Sequence, residues 1–215
     1  MRRTLLLLST MMLALLLASG VAWAVNKVGT NGPDTLRGTN GDDNLLGKGG
    51  NNDELFSLNG RDNLLGGAGK DCLLCATRQF RGFAGDKILL GGPGNDFVLG
   101  GKGSESVVGG EGNDLLSDPG DREFSKDTYS GGPGNEVIDV VHFRGASDRV
   151  ICGSGFDRVV ADSNDVVAPD CEKVVVIRER TLSEYNDVWM RFYEETVPPN
   201  FYEGLPRCFF EFIGG

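Results

Sequence analysis

Histidine is almost missing from this chain: His142 is the only one in 215 residues. No His-Glu-x-x-His sequence occurs, so the common zinc-hydrolase arrangement is excluded. No Gly-x-Ser-x-Gly elbow occurs either, and Gly153-Ser154-Gly155 belongs to a glycine turn rather than to a nucleophile. Cys72-Leu73-Leu74-Cys75 has the spacing of a zinc or redox pair, but there is no second pair to complete a zinc site. His142, beside Phe143, reads as a surface or packing residue. These absences leave no catalytic residues to nominate, and we expect no enzyme. Positive charge is also scarce, with 21 Lys and Arg against 31 Asp and Glu and a formal net charge of −10. That balance argues against nucleic acid and anionic lipid as partners. Such a surface suits cation binding.

Long apolar runs are absent except at the start. Arg2-Arg3 forms a basic n-region, Leu5 to Ala18 an apolar core, and Ala22-Trp23-Ala24 an A-x-A cleavage site. The run is short for a membrane span of about 20 residues. We expect residues 1–24 to be a signal peptide and Val25 to be the mature N-terminus. No membrane span should then remain. The protein is expected to be secreted and extracellular, with a periplasmic or wall-associated location also open.

Glycine, by contrast, is abundant: 33 residues, against an average near 7% of a chain, and without a collagen-like Gly-X-Y period. The excess lies in a nine-residue pattern, Gly-Gly-x-Gly-x-Asp-x-(apolar)-x. It is complete at 66–74, 91–99 and 109–117, and degraded copies fill the intervening and flanking sequence. Position six is held by Asp34, Asp43, Asp53, Asp62, Asp71, Lys87, Asp96, Glu105, Asp114, Asp127, Glu136, Asp148 and Asp157. Position eight is apolar throughout: Leu36, Leu45, Leu55, Leu64, Leu73, Leu89, Val98, Val107, Leu116, Tyr129, Ile138, Val150 and Val159. Apolar residues spaced by nine, each in a short strand after a glycine turn, cannot make a helix face. They can make a stack. Two nonapeptides form one coil, short strands pair in parallel with the coils above and below, and position eight fills the interior. The expected fold is all-β, a parallel β-roll or β-solenoid. In such turns the three glycines allow positive φ, and the aspartate lies on the turn.

The pattern resembles the RTX, or haemolysin-type, calcium-binding nonapeptide repeat. The resemblance implies Ca2+ between turns on one edge of the roll, held by backbone carbonyls and by position-six carboxylates of successive coils. Carried onto this sequence, the candidate ligands are Asp34, Asp43, Asp53, Asp62, Asp71, Asp96 and Asp114. The glycine turns implied are Gly66, Gly67 and Gly69, then Gly91, Gly92 and Gly94, and lastly Gly109, Gly110 and Gly112. The same-edge pairs are Asp34 with Asp53, Asp43 with Asp62, Asp53 with Asp71, and Asp96 with Asp114. Lys87 should abolish its own half-site, and Glu105 and Glu136 should give weaker or empty sites. Carboxylates about 5 Å apart repel by roughly 0.8 kcal/mol in water and about 3 kcal/mol at an effective dielectric of 20. The roll should therefore fold or be stabilised on binding several calcium ions, with affinities on the order of 10⁻⁴–10⁻³ M. The functional expectation is an exported calcium-binding protein. The alternatives are a calcium-dependent adhesin, or a cell-surface or matrix structural protein, with a hydrolase accessory domain a minor one. Many RTX proteins leave through a C-terminal signal, whereas this chain carries an N-terminal leader.

Three interruptions break the register. Asn51-Asn52 adds one residue, Cys75 to Arg81 lacks glycine, and Asp118 to Lys126 inserts a charged loop. The second is a candidate divider between two calcium-binding blocks. With two nonapeptides per coil, Cys152 and Cys171 fall one coil apart, within disulfide reach. The pairing of Cys72, Cys75 and Cys208 is left open. We place the roll at residues 25–160, a terminal coil and strand at 161–180, and an aromatic C-terminal cap or docking segment at 181–215. That last segment holds nine aromatics, half of the chain's total. Its sequence predicts one helix over about Leu182–Glu195, a break at Pro198-Pro199 and an irregular or strand-like end. It would cap the stack, or else dock an extracellular protein or glycan.

Overall fold

A computed structural model describes residues 24–75, 84–118, 125–141, 147–177, 192 and 197–209. The leader up to Trp23, His142 and, apart from Phe192, the helix expected over Leu182–Glu195 lie outside the described residues.

Two eight-stranded parallel sheets face each other. One contains β1 (Asn26–Val28), β3 (Asn44–Gly49), β5 (Asn63–Ala68), β7 (Ile88–Pro93), β9 (Ser106–Glu111), β11 (Thr128–Gly134), β13 (Arg149–Gly155) and β15 (Val166–Val167). The other contains β2 (Thr35–Arg37), β4 (Glu54–Phe56), β6 (Cys72–Leu74), β8 (Phe97–Leu99), β10 (Leu115–Ser117), β12 (Val137–Asp139), β14 (Arg158–Asp162) and β16 (Lys173–Ile177). The chain alternates between the sheets, so each pair of nonapeptides makes one coil of a parallel β-roll. Register follows the repeat: Leu64 pairs with Leu89, Leu89 with Val107 and Val107 with Tyr129. The last coil stacks in the same way, Val150 opposite Val167 and Val159 opposite Val174.

All thirteen position-eight residues are buried and line one continuous interior. At the N-terminal end Lys27 stands opposite Leu45, and its ammonium donates to the Arg37 carbonyl at 2.6 Å. A charged residue thus closes that end of the apolar column.

The two sheets differ on their outer faces. In the odd-numbered sheet the flanking positions are largely solvated, as Leu65 and Ile88 show. In the even-numbered sheet β6, β8 and β12 are buried at every residue. What covers that sheet is the C-terminal segment. Phe192, Val197, Phe201, Leu205, Cys208 and Phe209 pack with Cys72, Phe97, Leu115, Val137, Val160 and Ile177 in a second core. Phe209 meets Phe97 edge-on at 5.3 Å, and Cys72 is disulfide-bonded to Cys208. The described part of the tail therefore lies along the flank of the roll, packed with residues from β6 to β16. The reason is the sequence of the strands: Cys72-Leu73-Leu74 and Phe97-Val98-Leu99 are apolar on both faces. Pro198 is extended, as a break requires, but the irregular or strand-like end expected after it is helical. Pro199 opens helix α1 (Pro199–Gly204), because proline at the first helical position has no amide to lose and a suitable φ. Cys152 and Cys171 form a second bridge, and Cys75 is a buried free thiol.

Removing position-eight volume should cost far more than removing outer-face volume. Leu73→Ala is expected to lower unfolding free energy in urea, with calcium present, by about 2–5 kcal/mol. Leu65→Ala should stay within about 0.5 kcal/mol. Equal effects would contradict the two-sheet interior.

Candidate metal centre

The turns fall on two edges. Edge one joins each odd strand to the next even strand, and edge two returns the chain. All three complete nonapeptides lie on edge one, with aspartates Asp71, Asp96 and Asp114. The long interruptions all lie on edge two, between β6 and β7, β10 and β11, and β12 and β13.

The three glycines of a complete turn do different work. The second and third have positive φ, 109° and 134° at Gly67 and Gly69, and 116° and 146° at Gly92 and Gly94. The first does not, which corrects the expectation that all three serve positive φ. Its need is space. A β-carbon on Gly66 would lie 2.7 Å from the Gly91 carbonyl oxygen and 2.9 Å from Asp71 Oδ2. Gly91 and Gly109 are hemmed in the same way, by Asp96 and Asp114 and by the glycine carbonyl one coil on. Edge one keeps glycine at this first position through Gly29, Gly47, Gly66, Gly91, Gly109 and Gly131. Edge two has glycine there only at Gly38 and Gly100; Ser57, Cys75, Asp118, Val140 and Ala161 stand at the others, and Cys75, Val140 and Ala161 join the core.

Each position-six carboxylate has two unlike oxygens. Oδ1 accepts the backbone N–H of the position-six residue one coil earlier. Along edge one these bonds run from Asp34 to Asp53 (2.8 Å), Asp53 to Asp71 (3.1 Å), Asp71 to Asp96 (2.8 Å) and Asp96 to Asp114 (2.8 Å). The Asp71–Asp96 step crosses the glycine-free stretch, so that stretch does not divide edge one into blocks. Oδ2 of Asp53, Asp71, Asp96 and Asp114 is buried with no hydrogen-bond partner. Such atoms are costly unless something satisfies them. Asp34 and Asp43 differ. Thr30 and Thr39, standing where the second glycine would be, donate to their Oδ2 atoms through backbone and hydroxyl.

Burial is the main cause of the raised carboxyl pKa values along edge one. Asp71 is pushed up to about 6 by burial, with repulsion from Asp53 adding to it and the Asp53 amide opposing. Asp96 rises to about 9 through burial and then the charges of Asp114 and Asp71. Asp114 rises to about 7 through burial, against the hydrogen bond from the Asp96 amide. Glu136, higher in the same column, reaches about 10 through burial and its contacts with Asp157.

Edge two supplies a cation of its own. Lys87 is buried, and its ammonium donates to the carbonyls of Gly60 (3.1 Å), Ala84 (3.2 Å) and Gly85 (2.9 Å). It also stands 3.8 Å from Asp62 Oδ2. Backbone carbonyls plus a carboxylate are the donors of a hard-cation site, here filled by a side chain. Sequence alone marked Lys87 as a defect; the fold makes it a tethered counter-ion.

Residues 28–53, 49–74 and 81–116 match the family model described as the RTX calcium-binding nonapeptide repeat (4 copies). Over those residues the roll matches an RTX calcium-binding repeat array. No curated protein and no solved structure matches the chain. The donor set of edge one fits the RTX ion: buried oxygens lacking partners, beside glycine backbones that a side chain would crowd. No helix among the described residues is long and apolar enough to cross a membrane.

The folded roll holds these carboxyls above their unfolded pKa of about 4. The folded state therefore binds more protons across the range from about 4 to 9, and calcium-free stability should fall as pH rises through it. Circular dichroism of calcium-free protein should show strand signal strengthening towards pH 5 and weakening towards pH 9. A calcium-free roll that gains stability with rising pH would contradict the assignment.

Proposed function

We propose that the protein is an exported calcium-binding protein whose edge-one turns hold Ca2+ between coils and whose roll is stabilised by that binding. The observation that carries this reading is the row of buried Oδ2 atoms of Asp53, Asp71, Asp96 and Asp114, each beside a first-position glycine. The ligands are these carboxylates with carbonyls of the turns that contain Gly66, Gly67 and Gly69, Gly91, Gly92 and Gly94, and Gly109, Gly110 and Gly112. Bound calcium supplies charge neutralisation; the chain supplies donors already fixed by strand pairing. Asp62 is paired with Lys87, and Asp34 and Asp43 are satisfied by threonine, so these three carry the reading less than the central four.

Export is supported by the leader-like residues 1–24 and by two disulfides, which persist in oxidising compartments. The described tail residues spend their apolar surface on the roll's own sheet, which supports a structural role for them over capture of a partner.

Calorimetric titration with calcium, followed in parallel by circular dichroism, tests the reading. We expect saturable binding of several ions with a gain in strand signal. Asp96→Asn should bind fewer ions and shift the midpoint to higher calcium by roughly tenfold, the order of effect of losing a charged ligand. An unchanged spectrum with no binding heat would sink the reading.

A further inference from the structure

On edge two, at the end of the β10 strand, three buried carboxylates meet outside the repeat's usual arrangement. Glu105 precedes β9, Asp127 precedes β11, and Asp118 directly follows β10. One oxygen from each lies within 4.8 Å of the others. Glu105 and Asp127 occupy position six of successive coils, and the Glu105 amide donates to Asp127 Oδ1 at 2.8 Å. Asp118 does not occupy position six. It stands at the first position of its turn, where edge one has glycine. The turn that would normally present a bare backbone presents a third carboxylate instead.

Three further observations point into this cluster. Glu105 is 3% exposed, and neither of its oxygens has a hydrogen-bond partner. The hydroxyl of Tyr129, a fully buried position-eight residue, donates to Asp118 Oδ2 at 2.8 Å. That bond turns a core side chain towards the cluster and fixes the Asp118 carboxylate. Beneath it Gly100 leaves room: a β-carbon there would lie 3.3 Å from both Asp118 Oδ2 and the Tyr129 hydroxyl. The cluster crowds its acidic groups as well as enclosing them. Burial, then Asp127 and Asp118, push the Glu105 carboxyl up to about 9, against a lesser pull from Lys87 and the Gly101 amide. One ammonium on the preceding coil does not balance three carboxylates.

We propose that Glu105, Asp118 and Asp127, with Tyr129 as the orienting residue, form a second type of cation site, built from side chains rather than from glycine turns. Oxygen donors without histidine or thiolate select a hard divalent cation, and in an exported protein that cation is calcium. The site binds through three charged ligands, so it holds its ion more tightly than a turn with paired aspartates. It also restores on edge two the cation link that glutamate at position six would otherwise weaken. This inference does not rest on the edge-one reading, since Asp118 takes no part there.

Native mass spectrometry of the full chain at graded calcium counts the ions directly. Asp118→Asn, and Asp118→Gly as the variant that restores the first-position glycine, should each retain one ion fewer at low calcium. Asp96→Asn should leave that ion in place. Terbium provides the independent readout. Excited through tyrosine, the wild-type protein should emit, calcium should compete the emission away, and Tyr129→Phe should lose most of it. An unchanged ion count in both Asp118 variants would overturn the proposal, as would emission indifferent to Tyr129→Phe. Loss of one ion in the Asp118 variants with no effect of Asp96→Asn would sustain this site and sink the edge-one sites. The reverse pattern would do the opposite.

Discussion

Everything in this roll depends on stacking one carboxylate directly above another. Parallel strands fix the coil spacing at about 4.8 Å, and position six recurs at the same place in each coil. One carboxylate oxygen closes the turn by accepting the amide of the coil before, as Asp71 accepts from Asp53 and Asp96 from Asp71. The other is left buried and unpartnered. The bond that zips the coils therefore also assembles a line of negative charge, and the line is tolerable only when protons or cations lie along it. Leucines at position eight hold the coils together, but they do not answer that charge.

The two edges answer it differently. Edge one keeps bare glycine beside each carboxylate from Asp34 to Glu136, which leaves the space an ion needs. Edge two carries the long interruptions, admits side chains at the first position, and answers its charge from within. Lys87 supplies an ammonium against Asp62, and threonine satisfies Asp43. Where neither device is present, at Glu105 and Asp127, Asp118 gathers a three-carboxylate cluster. The long interruptions of the repeat are thus confined to one side of the molecule, and the opposite side stays in register.

Most of the fold could be read from position eight, because an apolar column spaced by nine admits few other structures. The glycine and aspartate columns likewise gave the ligand chemistry, and the family match agrees with it. What escaped was whatever depends on which edge a turn occupies. Written in lines of two nonapeptides, the sequence separates a first-position glycine column running from Gly29 to Gly131 from one containing Ser57, Cys75, Asp118 and Val140; that signal was present and unread. The step from Asp71 to Asp96 was hidden by an insertion that lies on the far edge and leaves their own edge in register. Cys208 could not be assigned because its partner Cys72 lies 136 residues earlier. The apolar outer positions of Cys72 and Phe97 nevertheless announced that something covers the even-numbered sheet. Position one was misread because glycine is usually taken to mean positive φ, whereas Gly66, Gly91 and Gly109 are there for lack of a β-carbon.

The central claim is that a cation-dependent carboxylate line on edge one governs the stability of the stack. Residue-resolved hydrogen exchange with and without calcium tests it most directly. On chelation, the edge-one amides of Asp53, Asp71 and Asp96, bonded to the Oδ1 atoms of the next coil, should lose protection together. The Asp43 amide on edge two, bonded to Asp62 beside Lys87, should change less. Protection that is indifferent to calcium, or lost equally on both edges, would contradict the account.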